Sequence, residues 1–257
     1  MELPESVTIT AMQYAQGSFT PIELSVSAEY PITLSINDNP YVVIACSGSD
    51  LEVLAVGHLI TEGIITSKDE IRELSIDTDS LKINVEIEQN DAIPERLFRI
   101  HSIVSGGGHG RSEAPPARHL AAPSIMPEII LTCMRTFLHA SELHKKTRGV
   151  HSAALYRADG QELVFFDEIG RHNAIDKIIG YANEKRVSLS DKLILSTGRI
   201  SSEIIYKLLY AAAPVIISKA SPTSLAIDLA RRYNIVMIGK VTGNSLCIFN
   251  GEVNRAI

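Results

Sequence analysis

Three short polar stretches in the C-terminal half carry residue types that bind anions. They are Asp167-Glu168-Ile169-Gly170-Arg171-His172-Asn173, Ser196-Thr197-Gly198-Arg199-Ile200-Ser201 and Ser218-Lys219-Ala220-Ser221-Pro222-Thr223-Ser224. Each follows an apolar run of strand type and precedes a run with helical periodicity. A helix N-terminus offers free N–H groups and the positive end of the helix dipole. Arg171 and Arg199 can grip phosphate oxygens through two N–H groups at once. Gly170 and Gly198 leave room for a close backbone approach. Asn173, Ser201 and Ser221 are good N-cap types, and Pro222 suits a first helical position. Capping accounts for one Ser or Asn per turn but not for an Arg beside a Gly twice over. The expected ligand therefore carries phosphates. The spacing matches neither the P-loop nor the dinucleotide fingerprint.

The elements that would position these turns alternate strand and helix. QELVFFD precedes a helix at about 173–186, KLILS (192–196) one at 202–212, and PVIIS (214–218) one at 222–233. IVMIGKV (235–241) and SLCIFN (245–250) follow. This alternation predicts a largely parallel sheet covered by helices, with all three turns at its carboxyl edge. Lys240-Val241-Thr242-Gly243-Asn244-Ser245 then reads as a Gly-Asn turn between the last two strands. Upstream, a helix is expected from Pro127 to about Lys146 and a hairpin over 151–167.

The N-terminal part reads as α+β. ITLSIN (32–37), YVVIA (41–45), IRELSI (71–76) and LKINVEI (81–87) are strand-like. Ser49 or Asp50 would cap a helix that stops near Gly63. Residues 101–125 hold three successive glycines and three prolines and break every periodicity, which predicts a long exposed loop. The expected organisation is an N-terminal domain over 1–100, an interdomain loop over 101–125 and a C-terminal domain over 126–257.

Other residues narrow the chemistry. A zinc nucleobase deaminase needs His-x-Glu and a later Pro-Cys-x-x-Cys. Here His151-Ser152-Ala153 and Pro214-Val215-Ile216 lack the Glu and the cysteines, so that chemistry is excluded. His101, His109 and His119 are too widely spaced to read as a metal set. Arg99, Arg111 and Arg118 give the loop a basic character. Cys46, Cys133 and Cys247 are isolated, which speaks against a disulfide framework, and each is expected to pack in the core. A small-molecule hydrolase built on His151 or His172 lacks a visible nucleophile–base pair.

The chain has 257 residues, 45% hydrophobic and 21% charged, as expected of a folded domain or two. A net charge of -6 argues against broad nucleic-acid binding. No apolar run is long enough for a membrane span, and MELPESVTIT lacks the pattern of a signal peptide. Cytoplasm is the expected compartment.

GRHNAIDK (170–177), STGRISSE (196–203) and SPTSLAIDLA (221–230) resemble the signature blocks of FdhD, the formate dehydrogenase accessory sulfurtransferase. LAVGHLITEGII (54–65) and TRGVHSAAL (147–155) are similar to two further blocks, in the family's order. The resemblance implies a cytoplasmic homodimer with a cytidine-deaminase-like C-terminal domain without zinc. It implies sulfur received from a cysteine desulfurase, carried as a persulfide and passed to a molybdenum bis(molybdopterin guanine dinucleotide) cofactor for formate dehydrogenase. It also implies that Lys240, Val241, Thr242, Gly243, Asn244 and Ser245 contact the cofactor, together with Gly170, Arg171, His172, Asn173, Gly198, Arg199, Ser201, Ser221, Thr223 and Ser224. The chain departs from the family in two places. Asp167-Glu168 stands where the family reads Glu-Asp. The family's loop motif Cys-Gly-x-Cys-Gly aligns with Gly106-Gly107-Gly108-His109-Gly110, so its cysteine positions hold Gly106 and His109. A persulfide needs a thiolate, which neither can supply. The alternative is a cofactor- or guanine-nucleotide-binding module without sulfur transfer.

Overall fold

The structure is a computed structural model and describes residues 3–88, 102–104, 108–110 and 120–254. Strands β1 (Ser6–Ala15) and β2 (Ser18–Ser27) form a separate two-stranded ribbon. Strands β3 (Tyr30–Ile36), β4 (Asn39–Cys46), β5 (Ile71–Asp77) and β6 (Lys82–Ile87) form a four-stranded sheet in the order β4-β3-β6-β5. Helix α1 (Leu51–Thr61) lies between β4 and β5 in the chain. Its sequence, LEVLAVGHLIT, is apolar almost all round, the signature of a helix covered on more than one side. Leu54, Ala55, Val56, Leu59 and Ile60 are buried in one cluster with Ile32, Leu34, Ile83 and Val85 of the sheet and Ile175, Ile178 and Ile179 further on. Asp50 takes the N-cap place with φ 51°, yet its side chain makes no cap bond.

The C-terminal part is a six-stranded sheet in the order β10-β9-β11-β12-β13-β14. The strands are β9 (His151–Arg157), β10 (Glu162–Glu168), β11 (Lys192–Ser196), β12 (Val215–Ser218), β13 (Val236–Gly239) and β14 (Cys247–Asn250). The sheet is mixed. Strands β11, β12 and β13 are mutually parallel, and β9 and β14 run against their neighbours. Because β10 is antiparallel to β9, it runs in the same direction as β11. Four strands thus end at one edge. Side chains alternate across the sheet with period two. Ala153, Leu155, Ile194 and Ile216 face the cluster shared with α1. Ala154, Tyr156, Leu193, Leu195 and Ile217 face a second cluster under helix α2 (Pro127–Ala140) through Ile130, Met134 and Phe137. With helices α4 (Arg171–Glu184), α5 (Ser202–Tyr210) and α6 (Ser224–Tyr233) on the first face, the arrangement is three-layered.

Several expectations are corrected. The helix expected over 127–146 is broken at Ser141 into α2 and α3 (Glu142–Thr147). Ser141 is extended, with ψ 109°; its hydroxyl caps His144 N–H at 2.8 Å and donates to Asp167 Oδ2 at 2.6 Å. The stretch 101–125 is not wholly irregular, since β7 (Ser102–Val104) pairs with β8 (Gly108–Gly110). Residues 105–107 and 111–119 lie outside the described residues. Gly170, not Asn173, is the N-cap of α4, and Thr223, not Ser221, that of α6. Pro222 consequently precedes the helix; it forms a parallel bridge with Ile200. Cys46 and Cys133 are buried, but Cys247 is exposed on the edge strand β14. The ribbon β1–β2 was not anticipated. No helix among the described residues is long and apolar enough to cross a membrane.

Helices α1 and α4 cross with their backbones in contact. A Cβ on Gly57 would lie 1.8 Å from the Asp176 carbonyl oxygen, and one on Gly180 would lie 1.9 Å from that of Val53. Backbone cannot give way as a side-chain tip can. Gly57→Ala should therefore separate the helices and destabilise the fold by about 3 kcal/mol, the upper range for overpacking. Urea unfolding checks this as a lowered midpoint at unchanged slope; an unmoved midpoint would contradict the crossing.

Candidate anion site at the carboxyl edge

Strands β10, β11, β12 and β13 each release the chain at the same edge, and each of the four turns carries one basic residue: Arg171, Arg199, Lys219 and Lys240. The turns are bonded into a continuous ledge. The first and second meet where Gly198 faces Arg171. A Cβ at 198 would come within 2.7 Å of Arg171 Cβ and 2.9 Å of its Cδ, so the glycine makes room for the arginine stem. His172 Nε2 also lies 3.4 Å from Ser201 Oγ. Ser218 Oγ donates to Gly198 O at 2.6 Å and Thr223 N–H to Ile200 O at 3.0 Å, joining the second and third turns. The fourth is tied on by Lys240 N–H to Ala220 O at 3.0 Å and Val241 N–H to Ser218 O at 3.1 Å.

The electrostatics favour an anion. Among the described residues none of the four basic side chains has a carboxylate within ion-pair distance, although the chain as a whole is acidic. Arg171 Nε is buried without a hydrogen-bond partner. Burial and the neighbouring Arg199 guanidinium both lower the Arg171 pKa from its ordinary value. Two cations held together with an unmet donor are costly unless an anion joins them. Helices α4 and α6 have no acidic residue in their first turns, and no side chain caps α4, so its first N–H groups stay free. Helix α5 differs, because Glu203 sits buried in its first turn.

The remaining expected site residues divide. Gly170, Arg171, His172, Gly198, Arg199 and Ser201 come together at the junction of the first two turns. Thr223 is spent on its own helix, accepting from Ala226 N–H at 3.4 Å, and Ser221 and Ser224 are exposed beside it. Asn173 turns towards the N-terminal sheet and donates to Ala45 O at 2.8 Å. Val241 is fully buried in the core beneath α2. Thr242 and Ser245 pair through their hydroxyls at 2.8 Å, and Asn244 is exposed. Gly243 O accepts from Arg135 of α2 at 2.9 Å. Arg135 and Lys219 are the residues that sequence reasoning left out of the site. A Lys in the same turn position as two arginines was the available signal for Lys219; nothing local pointed to Arg135.

His151 opens β9 at the same edge, with Nδ1 3.3 Å from Thr197 Oγ1. Burial, then Arg171 and His144, lower its pKa. His109 lies on β8, while Gly106, His101, His119, Arg99, Arg111 and Arg118 fall outside the described residues. No group of three or more potential metal ligands occurs among the described residues.

The described residues thus form an α/β protein whose parallel strand ends carry a cationic ledge at one edge of the sheet. The model of the FdhD/NarQ family matches residues 27–256, and this chain belongs to that family. Sulfur carrier protein FdhD of Staphylococcus haemolyticus is 34% identical over 248 residues, 93% of this chain and 92% of that protein. The protein of the same name from Bacillus subtilis is 32% identical over 244 residues, 92% of each. A crystal structure from Desulfotalea psychrophila, described as a formate dehydrogenase accessory protein, superposes with a TM-score of 0.79 at 25% identity, covering 96% of this chain and 98% of that one.

Burial, Lys207 and Arg171 push the His172 pKa down from 6.5 to about 3. The imidazole is therefore neutral at neutral pH and meets Ser201 without adding charge to the ledge. A depressed histidine pKa means that the unfolded chain binds the extra proton first. Stability from this group is full above 6.5 and is lost as pH falls from there towards 3. Denaturant unfolding at about pH 7 and pH 5.5 should show that loss in the native chain, and a shallower one in His172→Gln. Equal slopes would place the neutral histidine in doubt.

Proposed function

We propose that this chain is a formate dehydrogenase accessory protein that holds a molybdenum bis(molybdopterin guanine dinucleotide) cofactor by its phosphates at the carboxyl edge. The observation that carries the reading is the unpartnered pair Arg171 and Arg199 with the orphaned Nε of Arg171. A diphosphate placed there satisfies that donor, separates the two guanidiniums by negative charge and meets the free N–H groups of α4. Lys219 and Lys240 extend the same field along the ledge, and the turn Lys240–Ser245 offers hydroxyl and backbone groups to a nucleotide end. When bound, the cofactor supplies the molybdenum centre that accepts sulfur; the chain orients it. In this reading the protein acts in the cytoplasm as a homodimer between a cysteine desulfurase and formate dehydrogenase; the names of its relatives support the sulfur-carrier and formate dehydrogenase accessory parts of it.

One observation favours the alternative of a binding module without sulfur transfer. The family's loop cysteine positions hold Gly106 and His109. Burial, followed by neighbouring carboxylates, raises the thiol pKa of Cys46 and of Cys133 to about 11, which removes both as ready thiolates. Cys247 is the one exposed thiol.

Two measurements test these readings. Arg171→Ala and Arg199→Ala should each weaken GDP binding by at least about tenfold in calorimetry, the scale of one charge-assisted bond. Unchanged affinity in both would sink the phosphate site. Incubation with a cysteine desulfurase and cysteine, followed by persulfide mapping, separates the two functions. A persulfide on Cys247 supports the sulfur carrier, and none on any cysteine, with GDP still bound, leaves the binding module.

A further inference from the structure

Strand β9 stands between β10 and β11 in the sheet and runs against both. Its first residue, the partly buried His151, therefore lies at the edge where those two strands lead into the turns of Arg171 and Arg199. Alternation puts His151 on the face of Ala153 and Leu155, the face that carries α4. Glu168 stands directly opposite on β10 but is no counter-ion for the ring. Ser47 N–H and Ile169 N–H each donate to its Oε1 at 2.8 Å, and Ser47 Oγ and Lys177 Nζ each meet its Oε2 at 2.9 Å. The other titratable groups that act on the ring are Arg171 and His172 of α4 and His144 of α3, and all three are bases. His58, by contrast, has the Asp176 carboxylate at 3.4 Å.

Thr197, in the turn that carries Arg199, can serve the ring in both of its charge states. Its Oγ1 accepts from Ser152 N–H at 2.9 Å and lies 3.3 Å from His151 Nδ1 and 3.5 Å from Ser152 O. A hydroxyl both donates and accepts. With the ring neutral, Thr197 donates to Nδ1, and Nε2 carries the proton as an outward donor. With the ring charged, Nδ1–H donates to Thr197, whose own proton turns to Ser152 O. Neither state loses a hydrogen bond, so only burial and the neighbouring cations oppose the charge. His172 has no such freedom, because its ring is deeper and Lys207 acts on it as well.

We propose that His151 is a further phosphate-binding residue of the ledge, neutral while the ledge is empty and protonated once an anion is held there, so that the site takes up a proton with its ligand. The inference rests on the phosphate reading of the carboxyl edge. A phosphate between Arg171 and Arg199 supplies the negative charge that the ring lacks. An opposite charge within about 4–6 Å favours the charged ring roughly tenfold or more. The proton comes from solvent and no covalent bond changes. Linkage is reciprocal: if the anion favours the proton, the proton favours the anion. Phosphate affinity should therefore rise as pH falls through the range in which the ring titrates.

Calorimetry of the full chain with GDP, in buffers of different ionisation heat, counts the protons taken up. The terminal phosphate of GDP titrates near pH 6 itself, so the native chain is compared with His151→Gln, in which that contribution is the same. The native chain should take up more protons per GDP. Its affinity should gain at least about threefold more than that of the variant between about pH 8 and pH 6. His144→Gln should keep the native excess. Histidine NMR of the native chain gives a second reading that needs no variant: saturation with GDP should move the His151 titration to higher pH. Equal proton uptake by the native chain and His151→Gln, both binding GDP, overturns the role of His151 and leaves the phosphate site standing. So does an excess lost in His144→Gln but kept in His151→Gln, or a His151 titration that bound GDP does not move. A native chain that binds no GDP overturns the phosphate site and this inference together.

Discussion

The crossing of α1 and α4 is the contact on which the rest of the molecule depends. Gly57 and Gly180 bring the two backbones together where any side chain would collide. That approach lets one apolar helix serve two sheets, with the N-terminal sheet on one side and the helical layer of the C-terminal sheet on the other. It also brings the charged residues of α4 under the N-terminal unit. Asp176 is buried, and burial alone would raise its pKa. Lys207 at 2.7 Å and His58 at 3.4 Å outweigh that, and the net shift is downward; the Thr61 hydroxyl also donates to Asp176 at 2.8 Å. Lys177 is likewise buried against Glu168 at 2.9 Å, with Ser47 and Ser49 at 3.2 Å. Breaking such a pair by removing one partner is strongly unfavourable, because the other charge stays buried. These pairs fix the axis and rotation of α4, and so the place of Arg171 at its first residue.

The site uses charge in the opposite way. Inside the crossing every buried ion has its counter-ion. At the carboxyl edge four cations stand in a row with no described carboxylate to neutralise them, and one guanidinium donor is buried without a partner. Left without a described carboxylate, these cations support the proposed anionic ligand. The neutral His172 fits the same logic. A third cation between Arg171 and Lys207 would cost more than the ledge gains, and burial keeps the ring uncharged.

The chain is legible where local chemistry decides. Strand alternation placed most of the sheet segments, because a strand buried on both faces must be apolar along its length. The Gly-Arg pairs marked two of the four turns. Legibility failed where a distant partner decided. Ser141 reads as an ordinary helix residue, but Asp167 across the sheet draws its hydroxyl and breaks the helix. Asn173 reads as an N-cap, but the Ala45 carbonyl takes its amide and leaves the cap to Gly170. The β1–β2 ribbon passed unseen because its alternating residues show which face is apolar but not that the ribbon stands apart from both sheets.

By itself the sequence determined the family and gave the proposed ligand class its basis, since both rest on residue types in fixed local order: blocks that keep their spacing, and Gly-Arg turns after strands. Only the tertiary structure decided which of those residues meet. Arg171 and Arg199 are separated by a whole helix and strand in the chain. They become neighbours because β10 and β11 both run towards one edge with β9 between them, and because Gly198 has no side chain to keep the arginine stem away. Register and helix approach are set by packing between segments far apart in sequence, and no local pattern encodes them.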